Sequence, residues 1–494
     1  MTRRGLSKSR IMSGLQCPKL LWLSVHQPEL IEYGPATQRI FATGHKVGAL
    51  AQKLHPGGVL AGPAHDGPLR GDDLRLAEDD TRRLLAGPGD LNIYEATFTA
   101  EGVLVRTDLF FREGGRCRFT EVKSSTKLKD EYLQDAAIQT WVLRECGVPV
   151  DEVRLAHIDS SFVYAGDGDY QGLLVEEDIT ADVEPLVPAV PGQVAALRAM
   201  LDGDMPDVLV GRQCTSPNEC PLRSHCRAER AEYHVGDLPR VGGLLDVLQA
   251  AGYFDIRDVP EDMLTAVDHL RVWRATVANE ALVDGGLGDF MRTLPYPRFY
   301  FDFETISFAV PIWAGTRPYE QLPTQFSCHV ERAPGVPLEH QEFLDVSGEP
   351  PMRRCAEATI AALGESGPVL VYTPFESRVL RWMADAYPDL APALNAIIDR
   401  IVDLHPPVKA GYYHPDMHGS WSIKAVVPTI DPDLSYDRFD EVGEGTAALS
   451  AFEEAIDPHT TSERRAELRE KLLRYCEHDT EVMARMVLHF SDEA

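Results

Sequence analysis

The chain of 494 residues is too long for one ordinary hydrophobic core, which sets two or three domains as the expectation. Its formal net charge of -29 excludes nucleic-acid binding through bulk positive charge and leaves only local basic sites for that purpose. No apolar run reaches the length of a membrane span, and the first residues lack the apolar core and small-residue cleavage site of a signal peptide, so a cytoplasmic protein with no membrane partner is expected.

In chain order, basic residues gather first at Arg3, Arg4, Lys8, Arg10 and Lys19, and again at Arg212, Arg223, Arg227 and Arg230. Either group could serve phosphate binding, which responds to the local field rather than to total charge. The stretch "EGVLVRTDLFFREGGRCRFTEVKSS" predicts a hairpin: a strand ending near Phe111, a turn at Gly114-Gly115 and a strand from Arg118 to Val122. The following "DEYLQDAAIQTWVLREC" has the spacing of an amphipathic helix. Asp108 lies on the first strand, with Glu121 and Lys123 on one face of the second. An acid there can hold a metal while the ammonium positions water or stabilises a charged phosphate.

Three of the nine cysteines, Cys214, Cys220 and Cys226, fall in "RQCTSPNECPLRSHC", and such a cluster in a cytoplasmic protein suggests metal before disulfide. Cys117, Cys146, Cys328, Cys355 and Cys476 are scattered and read as small buried hydrophobes. Residues 236–294 have mostly helical apolar spacing and read as a connector.

The last region opens on "FYFDFET". In a strand, Phe299, Phe301 and Phe303 point to a core face, and Tyr300, Asp302 and Glu304 to a non-core face. The two carboxylates would stand roughly 7 Å apart along the strand, and a divalent cation between them would relieve their repulsion. Further acids follow. "VLVYTPFESRVL" runs from a short strand into a helix bearing Glu376, and "LLRYCEHDTEVMARM" places Tyr475 and Asp479 on one helix face. In "MHGSWSIKAVVPTI", Ser422 or Lys424 could bind substrate, or the segment could be a plain loop before a helix.

A strand with Asp108, an E-x-K strand and a helix with Gln139 resemble the PD-(D/E)XK nucleases of the RecB type, most closely the branch with an iron-sulfur cluster. One cysteine precedes the nuclease core and three follow it in that branch. The resemblance therefore implies Cys17, Cys214, Cys220 and Cys226 as ligands of a [4Fe-4S] cluster, while spacing alone leaves zinc open. The chain departs from the branch at Gly48, where its G-x-x-h-H motif has histidine, and at Leu143, where its Q-x3-Y motif has tyrosine.

Asp302, Glu304, Glu376, Tyr475 and Asp479 resemble, in chain order, the catalytic set of the DEDDy 3'-5' exonucleases, with Glu376 in place of the usual Asp. That resemblance implies a ribonuclease H-like fold, two Mg2+ or Mn2+ ions held by the four acids, and a tyrosine that orients water. Most of the chain, the connector least specifically, resembles predicted bacterial nucleases sharing "DFET", "PIW" and "SIK". The expected fold class is α/β, with a PD-(D/E)XK restriction-endonuclease-like domain over 1–235, the helical connector, and a ribonuclease H-like domain over 295–494. The implied function is a metal-dependent nuclease on DNA, single-stranded by preference. The alternatives are an RNA exonuclease or a cluster-bearing nucleic-acid-binding adaptor with one or both centres inactive.

Overall fold

The computed structural model describes residues 5–64, 69–436 and 445–492, so Arg3 and Arg4 of the first basic group lie outside the described residues. The chain is mixed α/β and divides by its contacts into two units, Met1–Cys226 with Phe308–Tyr319, and Arg227–Ser307 with Glu320–Ala494. Among the described residues no helix is long and apolar enough to cross a membrane.

The first unit is built on a seven-stranded sheet of β1 (Leu6–Ser7), β2 (Val59–Leu60), β3 (Leu91–Ala100), β4 (Val103–Glu113), β5 (Arg116–Val122), β6 (Val150–Ile158) and β7 (Leu174–Asp178). Its order is β2-β3-β4-β5-β6-β7, with β1 pairing parallel to β4. The hairpin of β4 and β5 turns at Gly114 and Gly115, whose φ values of +56° and +83° suit a turn that follows strand twist. Asp90 Oδ1 accepts from Gly114 N at 2.8 Å and fixes the turn from outside.

β5 and β6 are parallel, and the helix Asp130–Glu145 makes the crossover between them. Asp130 and Glu131 in its first turn favour the positive end of the helix dipole. The spacing predicts an amphipathic helix, and here the structure differs: every residue from Asp135 to Leu143 is buried. Strands on one side and the helices Lys8–Gln16 and Val190–Leu201 on the other enclose it, so its polar face becomes an interior polar site.

Residues 236–294 contain the helices Leu244–Ala250, Val267–Ala278 and Gly285–Thr293 with short 3-10 turns, and their contacts group them with the second unit. Here β8 (Leu282–Val283) pairs with β14 (Tyr412–Tyr413). The main sheet comprises β9 (Arg298–Ile306), β10 (Leu322–Glu331), β11 (Glu339–Leu344), β12 (Val369–Val371) and β13 (Ile401–Asp403), in the order β11-β10-β9-β12-β13. The β11, β10 and β9 neighbours are antiparallel, whereas β9, β12 and β13 run parallel.

Phe299, Phe301 and Phe303 pack with Phe326, Val369 and Val371 in the core, as the alternation predicts. Each such phenylalanine contributes about 1.5–3 kcal/mol by leaving water. The opposite face is not an open one. Tyr300 is fully buried there, and its hydroxyl donates to Glu331 Oε2 at 2.7 Å, because the helix Ser462–Asp492 lies across β9 and β10. Of the scattered cysteines, Cys117, Cys328, Cys355 and Cys476 are buried, but Cys146, just after a helix end, is exposed.

Candidate metal centres

Asp108 on β4, Glu121 on β5, Lys123 just beyond β5 and Gln139 on the crossover helix come together in the first unit. Val122 N donates to Asp108 Oδ2 at 2.6 Å, and Lys123 Nζ donates to Glu121 Oε1 at 2.6 Å. Gln139 Nε2 reaches Glu121 Oε2 at 2.7 Å, while its own Oε1 is buried without a hydrogen-bond partner.

Three residues outside the predicted set complete this network. Asp135 accepts from Lys123 Nζ at 2.6 Å, and Lys8, from the helix Lys8–Gln16, donates to Glu121 Oε1 at 2.8 Å and pairs with Asp135 Oδ1 at 3.1 Å. Lys8 and the buried Lys19 are therefore not surface charges of a basic patch, as their place in the sequence suggests. Glu95 stands between the paired positions Tyr94↔Leu109 and Ala96↔Thr107 with a φ of +56°, a backbone strain that marks a special position. The Asp135 and Gln139 spacing of four on a helix was available as a signal, whereas nothing local marks Lys8.

The electrostatics divide the acids. Burial, reinforced by Glu121 and Glu95, pushes the Asp108 carboxyl well above its usual range. Burial acts the same way on Glu121, but the Lys123 and Lys8 ammoniums outweigh it and hold that carboxylate ionised far below the ordinary value. Lys8 is pushed up to about 12, since Asp135 and Glu121 overcome the opposing effect of burial.

Cys17, Cys214, Cys220 and Cys226 line one pocket with apolar neighbours that include Leu20, Leu23, Val210 and Leu222. Cys17 sits between two helices, and the other three lie on short turns and a helix around Cys220, whose N–H donates to Cys214 O at 2.9 Å. Burial, then the neighbouring Cys214, Cys17 and Cys226, push the Cys220 thiol up to about 11. A bound cation would reverse that, because coordinated sulfur is deprotonated. Among the described residues no carboxylate or imidazole lines the pocket, so the donor set fits a thiolate-bound group.

In the second unit, β9 presents Asp302 and Glu304 to the helix Ser462–Asp492, which carries Tyr475 and Asp479, and Glu376 enters from the first turn of the helix Phe375–Ala386. Carboxylate oxygens of Asp302, Glu304 and Asp479 lie within 4.8 Å of one another. Glu376 hydrogen-bonds Asp302, and its Oε2 is buried without a hydrogen-bond partner. Tyr436 Oη donates to Asp479 Oδ1 at 2.6 Å, and Lys424 Nζ donates to Tyr475 Oη at 2.9 Å.

Burial raises all four carboxyls, and repulsion within the group adds to it at Asp302 and Glu304, while Asp403 repels Glu376. Asp302 is raised well above its usual range, Glu304 is pushed up to about 8 and Glu376 to about 7. Asp479 rises to about 6 through burial, against the opposing effects of Tyr436 and Lys424. Four carboxyls that cannot all ionise together, with one orphaned oxygen among them, fit a divalent metal site. Lys424 lies in the helix Ile423–Ile430, whereas Ser422 only precedes it. Tyr436 and Asp403, a further acid acting on Glu376, carry no recognisable motif.

A family model described as a domain of unknown function (DUF2779) matches residues 299–422, a stretch that holds Asp302, Glu304 and Glu376. No curated protein and no solved structure matches the chain.

Proposed function

We infer that the protein is a metal-dependent nuclease whose second unit removes nucleotides from the 3' end of DNA, single-stranded by preference. The observation that carries this reading is the convergence of Asp302, Glu304, Glu376 and Asp479 from three elements on one group of raised carboxyls. The strand order, antiparallel across β11, β10 and β9 and parallel across β9, β12 and β13, supports a ribonuclease H-like fold for this unit. Bound Mg2+ or Mn2+ would supply Lewis-acid activation of water and charge stabilisation on the phosphoryl group.

The chain's own residues do the rest. Asp302, Glu304, Glu376 and Asp479 would hold the ions, and Tyr436 fixes the Asp479 carboxylate by its hydroxyl. The Tyr475 hydroxyl, held by Lys424, would orient the attacking water. Water oxygen bonds to phosphorus as the bond from phosphorus to the 3' oxygen breaks. The products are a nucleoside 5'-monophosphate and a strand shorter by one residue.

For the first unit, Asp108, Glu121, Lys123 and Gln139 together support a PD-(D/E)XK centre, and the four-cysteine pocket of the same unit supports an iron-sulfur cluster. One observation favours a second reading, in which this centre binds nucleic acid without cutting. Lys8 Nζ stands on Glu121 Oε1, a ligand atom that a metal would need.

The test uses end-labelled single-stranded DNA and RNA with Mg2+ or Mn2+. A 5'-labelled DNA strand should give a ladder that a 3' block prevents, and Asp302→Asn, which keeps shape and removes charge, should lower its rate at least about a thousandfold. Laddering that survives this substitution would overturn the reading, and a ladder on RNA alone would reassign the substrate.

A further inference from the structure

A second group of ligand atoms lies on the same face of the main sheet. His329 on β10 and His340 on β11 are direct cross-strand partners, with ring centroids 4.6 Å apart. Glu477, on the helix Ser462–Asp492, brings its Oε1 to 3.7 Å from His340 Nδ1. One nitrogen of each ring and one Glu477 carboxylate oxygen lie within 4.8 Å of one another.

The surrounding hydroxyls hold one nitrogen of each ring. The Thr480 hydroxyl donates to the Glu477 carbonyl at 3.0 Å, and its oxygen is hydrogen-bonded with His329 Nδ1 at 2.8 Å and with the Ser327 hydroxyl at 2.7 Å. Ser327 Oγ is also hydrogen-bonded with His340 Nε2 at 2.9 Å. One nitrogen of each imidazole, Nδ1 of His329 and Nε2 of His340, is thus held by a hydroxyl. Two imidazoles beside a carboxylate form a metal-donor set, and a hydrogen bond at the second ring nitrogen orients a ligating histidine.

We propose that His329, His340 and Glu477 form a site for a divalent transition-metal ion, Zn2+ above all, separate from the Asp302 centre. Two imidazoles and one carboxylate suit Zn2+ and leave a position for water, whereas Mg2+ prefers an all-oxygen shell. His329 is buried, His340 and Glu477 are 22% and 44% exposed, and the site is thus anchored in the sheet yet reachable from solvent. An ion here ties the β10–β11 hairpin to the helix that carries Tyr475 and Asp479.

Full-length protein, freed of loosely held metal by a chelator, is dialysed against Zn2+ in large excess of Mg2+, which saturates oxygen-only sites, and bound zinc is counted by emission spectroscopy. The wild type should hold one more zinc per chain than His340→Ala. Glu477→Gln, a milder change at an exposed side chain, should weaken that ion by about tenfold or more. Asp302→Asn should leave it in place, and X-ray absorption at the zinc edge should show imidazole scattering lost in His340→Ala. Equal zinc occupancy and affinity in the wild type and both variants would overturn the proposal, as would loss of the ion in Asp302→Asn with retention in His340→Ala. The outcome does not depend on whether the chain cuts DNA.

Discussion

Lys8 and Glu121, 113 residues apart in sequence, form a 2.8 Å ion pair at the centre of the first unit, with Lys123 on the same carboxylate oxygen. Two ammoniums on one oxygen leave little reason for a cation to bind it, since the negative charge is already balanced. A helix that swings away with Lys8 would uncover the acid, and a helix that stays would keep this centre a binding surface.

Lys8→Ala should therefore tighten Mn2+ binding at the first centre by about tenfold or more, because one opposing charge is removed. The measurement is a Mn2+ titration followed by electron paramagnetic resonance in an Asp302→Asn background. The same change should cost the first unit about 1–3 kcal/mol by leaving charged partners unpaired. Unchanged Mn2+ affinity in a folded variant would mean that Lys8 does not compete with metal.

Cys220→Ala should remove iron and sulfide from anaerobically purified protein and lower the unfolding temperature of the first unit, while the second unit unfolds as before. The thiol lies inside an apolar pocket with three others, and losing one ligand leaves the bound group open to exchange. Stoichiometric zinc with no iron and no broad visible absorbance would give the pocket to zinc instead.

How far the sequence reveals these centres depends on how local each signal is. Asp302 and Glu304 are legible because a strand alternates faces every residue, and Tyr475 with Asp479 because a helix repeats every four. The hairpin is legible from its two glycines. What escapes is what the tertiary structure adds. Tyr300 shares its face with the acids yet is sealed by a helix from the far end of the chain. Lys8 reads as one of a basic group until folding carries it to Glu121. The buried Asp135 to Leu143 run shows the same limit, since no period in that helix announces cover on every side.

The raised carboxyls of the second unit make a pH prediction whose sign is definite. Their folded values lie above the unfolded ones, so the stability they contribute is full below about pH 4 and is lost as pH rises through about 6 for Asp479, about 7 for Glu376 and about 8 for Glu304. Glu121 works in the opposite sense, with stability lost only as pH falls below about 4, and Lys8 loses its contribution only as pH rises through about 12. Asp108 of the first unit, raised by burial, acts in the same sense, so between about pH 5.5 and 9 metal-free protein should melt at a lower temperature at the upper end. Mg2+ should shrink or reverse that difference, because ions bind the ionised acids. Scanning calorimetry at the two pH values, with Mg2+ and with a chelator, reads both effects. A metal-free transition that is independent of pH over this range would show that the acids are already compensated.

Lys424 and Tyr475 separate water orientation from metal binding. Lys424 Nζ donates to the Tyr475 hydroxyl, and the same ammonium lowers the carboxyls of Glu304 and Asp479 against the effect of burial. Tyr475→Phe removes only the hydroxyl, so turnover should fall about a hundredfold while metal affinity stays near the wild-type value. Lys424→Met removes the charge as well, and the acid limb of the pH–rate profile should then move to higher pH, since Glu304 and Asp479 lose the cation that helps them ionise. The two variants make the roles distinguishable. A fall in turnover without movement of the acid limb in Lys424→Met would confine that lysine to holding Tyr475, and a loss of metal affinity in Tyr475→Phe would make the hydroxyl a support for the ions rather than for the water.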